Sequence, residues 1–236
     1  MTRIYMEGLT TITFFKFRNN KPWAFAQMGL VPPKLKQKKG LRFFKLMGTG
    51  GGNGFSLWPD FSTYALLGVW DNQEIADKFL RHNEIMKSYH DKSSFFRTLK
   101  MLPLKSHGLW SGQNPFKEHK LNKTDNDMPV AVITRATLRP SRLLAFWKSV
   151  PSASAAIEKA KGVQYFKGIG EWPFVQQATL SLWDNFEAVK EFAYGGKIHA
   201  NIIKKTRKDQ WYIEDLFARF HILSDTGFIE SIDKTK

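Results

Sequence analysis

Two segments of this sequence combine residue types that commonly bind ligands, and the first is the glycine-rich stretch GTGGGNGF at 48–55. A dinucleotide-binding loop needs the spacing G-x-G-x-x-G, but the sixth position counted from Gly48 is Asn53, and counted from Gly50 it is Phe55. A phosphate-binding loop is excluded as well, because no Gly-Lys-Ser/Thr follows. Two interpretations stay open: a long hairpin loop, or a loop that covers a ligand, in which Gly48 and Gly50 contact a cofactor.

The second segment, KIHANIIKKTRK, contains His199. A helix here places His199 on one face with Ile202, Ile203 and Thr206, and places lysines on the opposite face. A histidine on such a stripe is either a core residue or a ligand. Neutral imidazole is the usual ligand of haem iron where no thiolate is available, and this chain has no cysteine.

The composition is that of a globular protein with a strongly basic charge balance. Of 236 residues, 42% are hydrophobic and 14% aromatic, which excludes disorder. The formal net charge is +15, yet no nucleic-acid-binding motif accompanies it. Solvated lysine-rich helix faces, anionic lipid head groups and an acidic protein partner are all compatible with this charge. No apolar run approaches the ~20 residues of a membrane span, so we expect a cytoplasmic protein, with peripheral contact at the inner membrane face as an extension.

The chain contains an internal repeat. VWDNQEIADKFL (69–80) matches LWDNFEAVKEFA (182–193), and LRFFKLMG (41–48) matches VQYFKGIG (163–170). The repeat predicts two related halves, at 8–116 and 129–230, joined by a polar linker at 117–128.

Each half shows the same order of strand and helix signals, β-α-β-β-α-β, which is the ferredoxin-like unit. The fold class is therefore α+β. Two such units in one chain predict a dimeric α+β barrel formed within one molecule, with apolar residues lining a cavity between the two sheets. The connection that contains the glycine stretch is longer than its counterpart GEWPF in the second half, which suggests that its extra residues serve a ligand.

The repeat also draws attention to Arg135, because the matching residue of the first half is Phe14. Arg135 is either a surface residue present in one half only or the partner of an anion such as a carboxylate or propionate, in which role we expect it to take part in catalysis and cofactor binding. Several tryptophans could wall an apolar cofactor site, among them Trp23, Trp172 and Trp211; ordinary core packing is the alternative for each.

Longer motifs in the chain resemble the spheroidene monooxygenase family. They are WAFAQMGLVPP, LRFFKLMGTGGGNGF, LLGVWD, TRATLRP, FWKSVP, KGIGEWP and WYIEDLFARF, and the resemblance extends over about residues 10–224. It implies a haem-dependent oxygenase that hydroxylates or ketonises the end of an acyclic carotenoid. It further implies haem b as cofactor, O2 as co-substrate, an apolar polyene as substrate and a ferredoxin-type electron donor.

The resemblance also assigns a residue to the iron. The family pattern of a small residue followed by His-x-x-x-Ile falls on GGKIHANII, which makes His199 the implied axial ligand. Three alternatives stay open on the same barrel: a histidine-ligated haem protein of the aldoxime dehydratase or chlorite dismutase type, a non-catalytic carrier of haem or an apolar ligand, and a cofactor-free monooxygenase or isomerase.

Overall fold

Each half of the chain contributes four strands to a single closed barrel. The computed structural model describes residues 7–52, 56, 58–120, 127–172, 174–195, 206 and 209–227. The strands of the first half are β1 (Leu9–Lys16), β2 (Leu41–Gly50), β3 (Pro59–Trp70) and β4 (Phe95–Gly108). Those of the second half are β5 (Val130–Leu138), β6 (Val163–Trp172), β7 (Gln176–Trp183) and β8 (Tyr212–Gly227). Around the barrel the order is β1-β3-β2-β6-β7-β5-β8-β4, and neighbouring strands run antiparallel.

The helices lie outside the barrel. In the first half they are α1 (Lys21–Leu30), α2 (Pro32–Lys36), α3 (Gln73–His82) and α4 (Glu84–Lys92). In the second half they are α5 (Leu143–Glu158), which follows a 3-10 turn at Pro140–Arg142, and α6 (Phe186–Lys190), which continues as a π-helical turn at Glu191–Gly195. The Asp-Asn motif starts a helix in both halves, because the side chains of Asn72 and Asn185 accept hydrogen bonds from Ile75 N and Ala188 N.

This architecture confirms the predicted α+β barrel. The two halves join where β2 pairs with β6 and where β4 pairs with β8, so that the sheet edges are hydrogen-bonded to each other. The predicted boundaries at 8–116 and 129–230 stay predictions, since 121–126 of the linker lie outside the described residues.

The interior of the barrel is a packed core. Side chains alternate along each strand, and those that point inward from all eight strands form one cluster of buried residues. Phe14 and Tyr165, from opposite halves, meet edge to face at 6.1 Å between ring centroids. The expectation that inner faces line a cavity between the sheets was therefore wrong for these residues: large inward side chains from both halves fill the space by contacting each other.

The outward side chains form separate clusters beneath the helices of each half. Among the described residues, no helix has the length and hydrophobicity that crossing a membrane requires.

Candidate functional site

Arg135 lies at one end of the barrel interior. It points inward from β5, two residues beyond the core residue Ile133, and is 4% exposed. Its Nη1 donates a hydrogen bond to the Glu214 carboxylate on the neighbouring strand β8, and its guanidinium carbon lies 5.9 Å from the centroid of the Trp110 ring. Arg135 is therefore a buried residue with a carboxylate partner of its own chain. Its predicted role in catalysis and cofactor binding stays a prediction.

Glu214 is held by backbone groups as well. It accepts hydrogen bonds from Gly112 N at 2.8 Å and Ser111 N at 3.1 Å. Burial alone would raise the pKa of the Glu214 carboxyl. The hydrogen bonds from Gly112, Arg135 and Ser111 outweigh burial and hold this pKa below its usual value.

A second ion pair completes this end of the barrel. Lys45 on β2 pairs with Glu171 on β6, and Lys45 Nζ also donates to Ser111 Oγ at 2.7 Å. The Trp110 ring nitrogen donates to Glu171 Oε1 at 2.6 Å. We refer to Lys45, Trp110, Arg135, Glu171 and Glu214 as the polar end layer. Since its charges are paired and the 110–112 segment is bonded to both carboxylates, the layer closes this end of the barrel.

The outer face of the second half differs from that of the first in the size of its side chains. The strand pairings align the two halves position by position. Leu46 pairs with Leu66 in the first half, and Gly168 pairs with Thr179 at the equivalent place in the second half. In the same way, Phe15 pairs with Tyr64 in the first half, and Ala136 pairs with Gln177 in the second. Two aromatic rings and two leucines of the first half are thus replaced by smaller side chains. We define the small-residue face by its six outward residues, which are Thr134, Ala136, Gly168, Gly170, Gln177 and Thr179.

Burial follows the same contrast. Phe15 is 0% exposed and Thr13 is 1% exposed, whereas their counterparts Ala136 and Thr134 are half-buried and exposed, respectively. In the first half, Phe15, Leu46, Tyr64 and Leu66 contact α1, α3 and α4 through one apolar cluster. A layer that the first half fills with its own side chains is therefore left with less side-chain volume in the second half.

Polar atoms without a partner border the small-residue face. Thr179 Oγ1 is buried and has no hydrogen-bond partner in the described part of the chain. On β8, which borders β5, the same is true of Arg219 Nε, and burial lowers the pKa of this guanidinium. Such groups favour a ligand that accepts hydrogen bonds or carries negative charge.

His107 lies close to the same face. Its ring stacks on Phe217 with centroids 5.2 Å apart, and Phe217 is the β8 neighbour of Thr134. The sequence analysis did not select His107 or Arg219. Arg219 lies within the motif WYIEDLFARF, which is the signal that could have found it.

The predicted site residues do not all meet. Trp211 is buried against Phe146 in the second half, whereas Trp23 belongs to the apolar cluster of the first half. Trp23 also lines a cleft of about 630 Å3 between α1, α2, α3 and α4. Trp172 is 69% exposed, at the turn between β6 and β7. The structure therefore does not bring these three tryptophans together around one cavity, and their cofactor roles stay predictions.

Gly48 and Gly50 are strand residues rather than loop residues. Gly48 pairs with both Tyr64 on β3 and Gly170 on β6, at the junction of the two halves, and Gly50 pairs with Pro59. Beyond them, Lys167 Nζ donates to Gly52 O at 2.6 Å, which holds the beginning of the glycine stretch against β6.

His199, the predicted iron ligand, lies outside the described residues. Thr206, seven residues further along, is described and is 6% exposed, and the role predicted for His199 stays a prediction. Among the described residues, no group of three or more histidine and carboxylate side chains forms a metal site.

Comparison with known proteins identifies close sequence relatives, although no protein-family model matches the chain. The chain is 30% identical over 221 residues to the spheroidene monooxygenase of Rhodobacter capsulatus, covering 93% of this chain and 92% of that protein. It is 32% identical over 226 residues to the spheroidene monooxygenase of Cereibacter sphaeroides, covering 94% and 69%, respectively.

Two solved structures share the fold. An aldoxime dehydratase matches with a TM-score of 0.56 and 10% identity, over 92% of this chain and 82% of that one. An aldoxime dehydratase in complex with butyraldoxime matches with a TM-score of 0.57 and 10% identity, over 92% and 80%. At this identity the likeness shows the barrel fold alone.

Proposed function

Since the chain belongs to the spheroidene monooxygenase family, we propose that it is a haem-dependent monooxygenase that oxidises the end of an acyclic carotenoid. In this proposal the enzyme uses O2 and electrons from a ferredoxin-type donor. The observation that carries the reaction is the sequence identity to spheroidene monooxygenases over more than nine-tenths of the chain.

The small-residue face supports the location of the cofactor. A porphyrin is a flat apolar ring, and Gly168, Gly170 and Ala136 let a ring approach the strand backbone closely. The segment that contains His199 follows α6 in the same half, and His199 is the residue that would hold the iron. Arg219 could receive a propionate, which would satisfy its buried Nε. These residues fit haem b.

Haem, when bound, would supply the activation of O2. The residues of the chain would bind the cofactor and orient its ligands. His199 would hold the haem iron through its neutral imidazole. Thr179 offers a buried hydroxyl that could donate a hydrogen bond to a ligand oxygen.

The net charge of +15 supports the proposed partners. An acidic ferredoxin would associate faster with a basic surface, and a carotenoid resides in membranes whose head groups are often anionic.

Haem content tests the cofactor assignment. We expect His199→Ala to lose haem, whereas His82→Ala and His119→Ala should retain the wild-type amount, measured by Soret absorbance per chain. His107→Ala is the informative fourth variant because it lies beside the small-residue face. Loss of haem in His107→Ala with retention in His199→Ala would transfer the ligand role to His107, and equal haem in all four variants would refute both.

Product analysis tests the reaction. Co-expression with an acyclic carotenoid pathway should yield products in which oxygen replaces two hydrogens, or with one added oxygen where oxidation ends at the alcohol, and isotopically labelled O2 should label them. The proposal would be refuted if haem-loaded protein, supplied with an electron donor, left the pigments unmodified. If the same protein converted an aldoxime, a dehydratase activity would be indicated instead.

A further inference from the structure

An exposed apolar patch lies at the turn between β6 and β7. Leu144 is 80% exposed, Trp172 69% and Phe174 45%, which is unusual for side chains of this size and hydrophobicity. We refer to Leu144, Trp147, Trp172 and Phe174 as the turn patch.

The patch is held together by direct contacts. Trp147 on α5 donates its ring N–H to Phe174 O at 3.2 Å, and the two rings lie 6.0 Å apart. Leu138 N donates to Val175 O at 2.9 Å, which fixes the turn to the end of β5. Leu144 lies one helical turn before Trp147 and shares its side of α5. The patch is therefore a defined surface of the fold.

Phe174 adopts a left-handed backbone conformation, with φ of 70°. Glycine or asparagine takes this conformation more readily than a bulky aromatic residue does. An aromatic ring at such a position, nearly half exposed, contributes little to the core, which favours a role at the surface.

The rim of the patch is basic. Arg139, Arg142 and Lys148 surround the start of α5, all three are exposed, and none forms a salt bridge within the described part of the chain. The sequence has no acidic residue from 128 to 157. Glu171, beside Trp172, is neutralised by Lys45 in the polar end layer.

We propose that the turn patch is a docking surface for anionic lipid membranes. Tryptophan and phenylalanine insert at the level of the head groups, while arginine and lysine around them attract anionic lipid. A second copy of the chain is disfavoured as occupant, because pairing two such patches would bring two uncompensated basic rims together in a molecule of net charge +15.

The patch adjoins the small-residue face. Gly170 and Gln177 form the last pair of that face before the turn that carries Trp172 and Phe174. Under the proposed function, a membrane-resident apolar substrate would reach the cofactor from this side. The docking surface itself does not depend on that function, because its test requires neither haem nor substrate.

Vesicle flotation tests the proposal, using phosphatidylcholine vesicles with and without phosphatidylglycerol. The wild type should bind vesicles that contain phosphatidylglycerol, and Leu144→Ser/Trp172→Ser/Phe174→Ser should bind at least about tenfold more weakly. The matched control is Phe25→Ser/Trp58→Ser/Phe61→Ser, which removes exposed apolar side chains from the first half and should bind as the wild type does.

A charge variant and a fluorescence measurement refine the result. Arg139→Gln/Arg142→Gln/Lys148→Gln should lose about fivefold in binding per removed charge, and much of the salt dependence. Brominated lipids should quench tryptophan fluorescence less in Trp172→Phe than in the wild type. Thermal melting verifies that each variant is folded.

Three outcomes would overturn the docking surface: equal binding to vesicles with and without phosphatidylglycerol, unchanged binding of the three-serine variant, or equal losses in the variant and its first-half control. A wild-type dimer in light scattering that the three-serine variant dissociates would assign the patch to a second copy instead. Each of these results would leave the oxygenase proposal standing.

Discussion

The two halves of the barrel have the same strands in the same register and differ in the layer between sheet and helices. In the first half, Phe15, Leu46, Tyr64 and Leu66 fill this layer beneath α1, α3 and α4. The corresponding residues of the second half are Ala136, Gly168, Gln177 and Thr179. One copy of the repeat thus retains its full core, while the other has less side-chain volume at equivalent positions.

The smaller side-chain volume in the second half affects the stability of the fold. Burial of a leucine or phenylalanine side chain stabilises a protein by about 1.5–3 kcal/mol, so that four smaller residues forgo several kcal/mol. The first half and the barrel interior bury large apolar clusters, which contribute stability that these four positions of the second half do not. A ligand in the layer would offset part of the loss, which is why we place the cofactor there.

The largest expected effect comes from making the first half resemble the second. Phe15→Ala should lower the free energy of unfolding by about 3–5 kcal/mol, because it removes a fully buried ring from a packed cluster. Urea unfolding of the apo-protein measures the effect. Ala136→Ser at the equivalent position is the control, and a loss there as large as that of Phe15→Ala would mean that both halves are equally packed.

The next largest effect on stability is expected in the polar end layer. Arg135→Met should lower the free energy of unfolding by about 3 kcal/mol, since it leaves the Glu214 carboxylate without its cation inside the barrel. The matched control is Lys190→Met, which breaks a surface pair with Glu187 and should change stability by less than about 0.5 kcal/mol. Equal small effects from both variants would show that the buried pair contributes little.

A pH dependence follows from the lowered pKa of Glu214. Because the folded state depresses this pKa, its contribution to stability is complete above the unfolded-state value near 4.5 and is lost as pH falls through the lower folded-state value. As pH falls from 5 to the acid limit of folding, Glu214→Gln should therefore lose less stability than the wild type does. Parallel pH profiles from thermal melting would contradict this assignment.

The smallest effect on stability is expected in the glycine stretch. Replacing 51–57 with a turn as short as that between β6 and β7 should hardly change the melting temperature of the apo-protein, because β2 and β3 pair without it. Haem affinity or turnover should fall if the stretch covers the cofactor. Unchanged haem binding and turnover would show that the stretch only connects β2 and β3.

The repeat made the barrel predictable from the sequence. Matching motifs and the Asp-Asn helix starts recur in the same order, and the structure places them at equivalent positions of the two halves. The sequence also contains the substitutions Leu46 to Gly168 and Leu66 to Thr179. What it lacks is the pairing register, which alone shows that these residues share one outward face.

The candidate site was less predictable for the same reason. Arg135 differs from its counterpart Phe14, and this asymmetry suggested an external anion as its partner. Only the pairing of β5 with β8 shows that Arg135 points inward and that Glu214 on β8 is close enough to bind it. A cavity between the sheets was expected because inward residues are apolar. Whether apolar faces enclose space or fill it depends on how far apart the sheets close, which composition does not encode.

The most direct test of the account is to fill the small-residue face. Ala136→Phe/Thr179→Leu gives the second half the side chains that the first half carries at Phe15 and Leu66. We predict that titration of the apo-protein with haem will show binding weakened by about a hundredfold or more, or about 2.7 kcal/mol, while the melting temperature of the apo-protein stays constant or rises. Haem binding with wild-type stoichiometry and affinity in this variant would contradict the placement of the cofactor on the outer face of the second half.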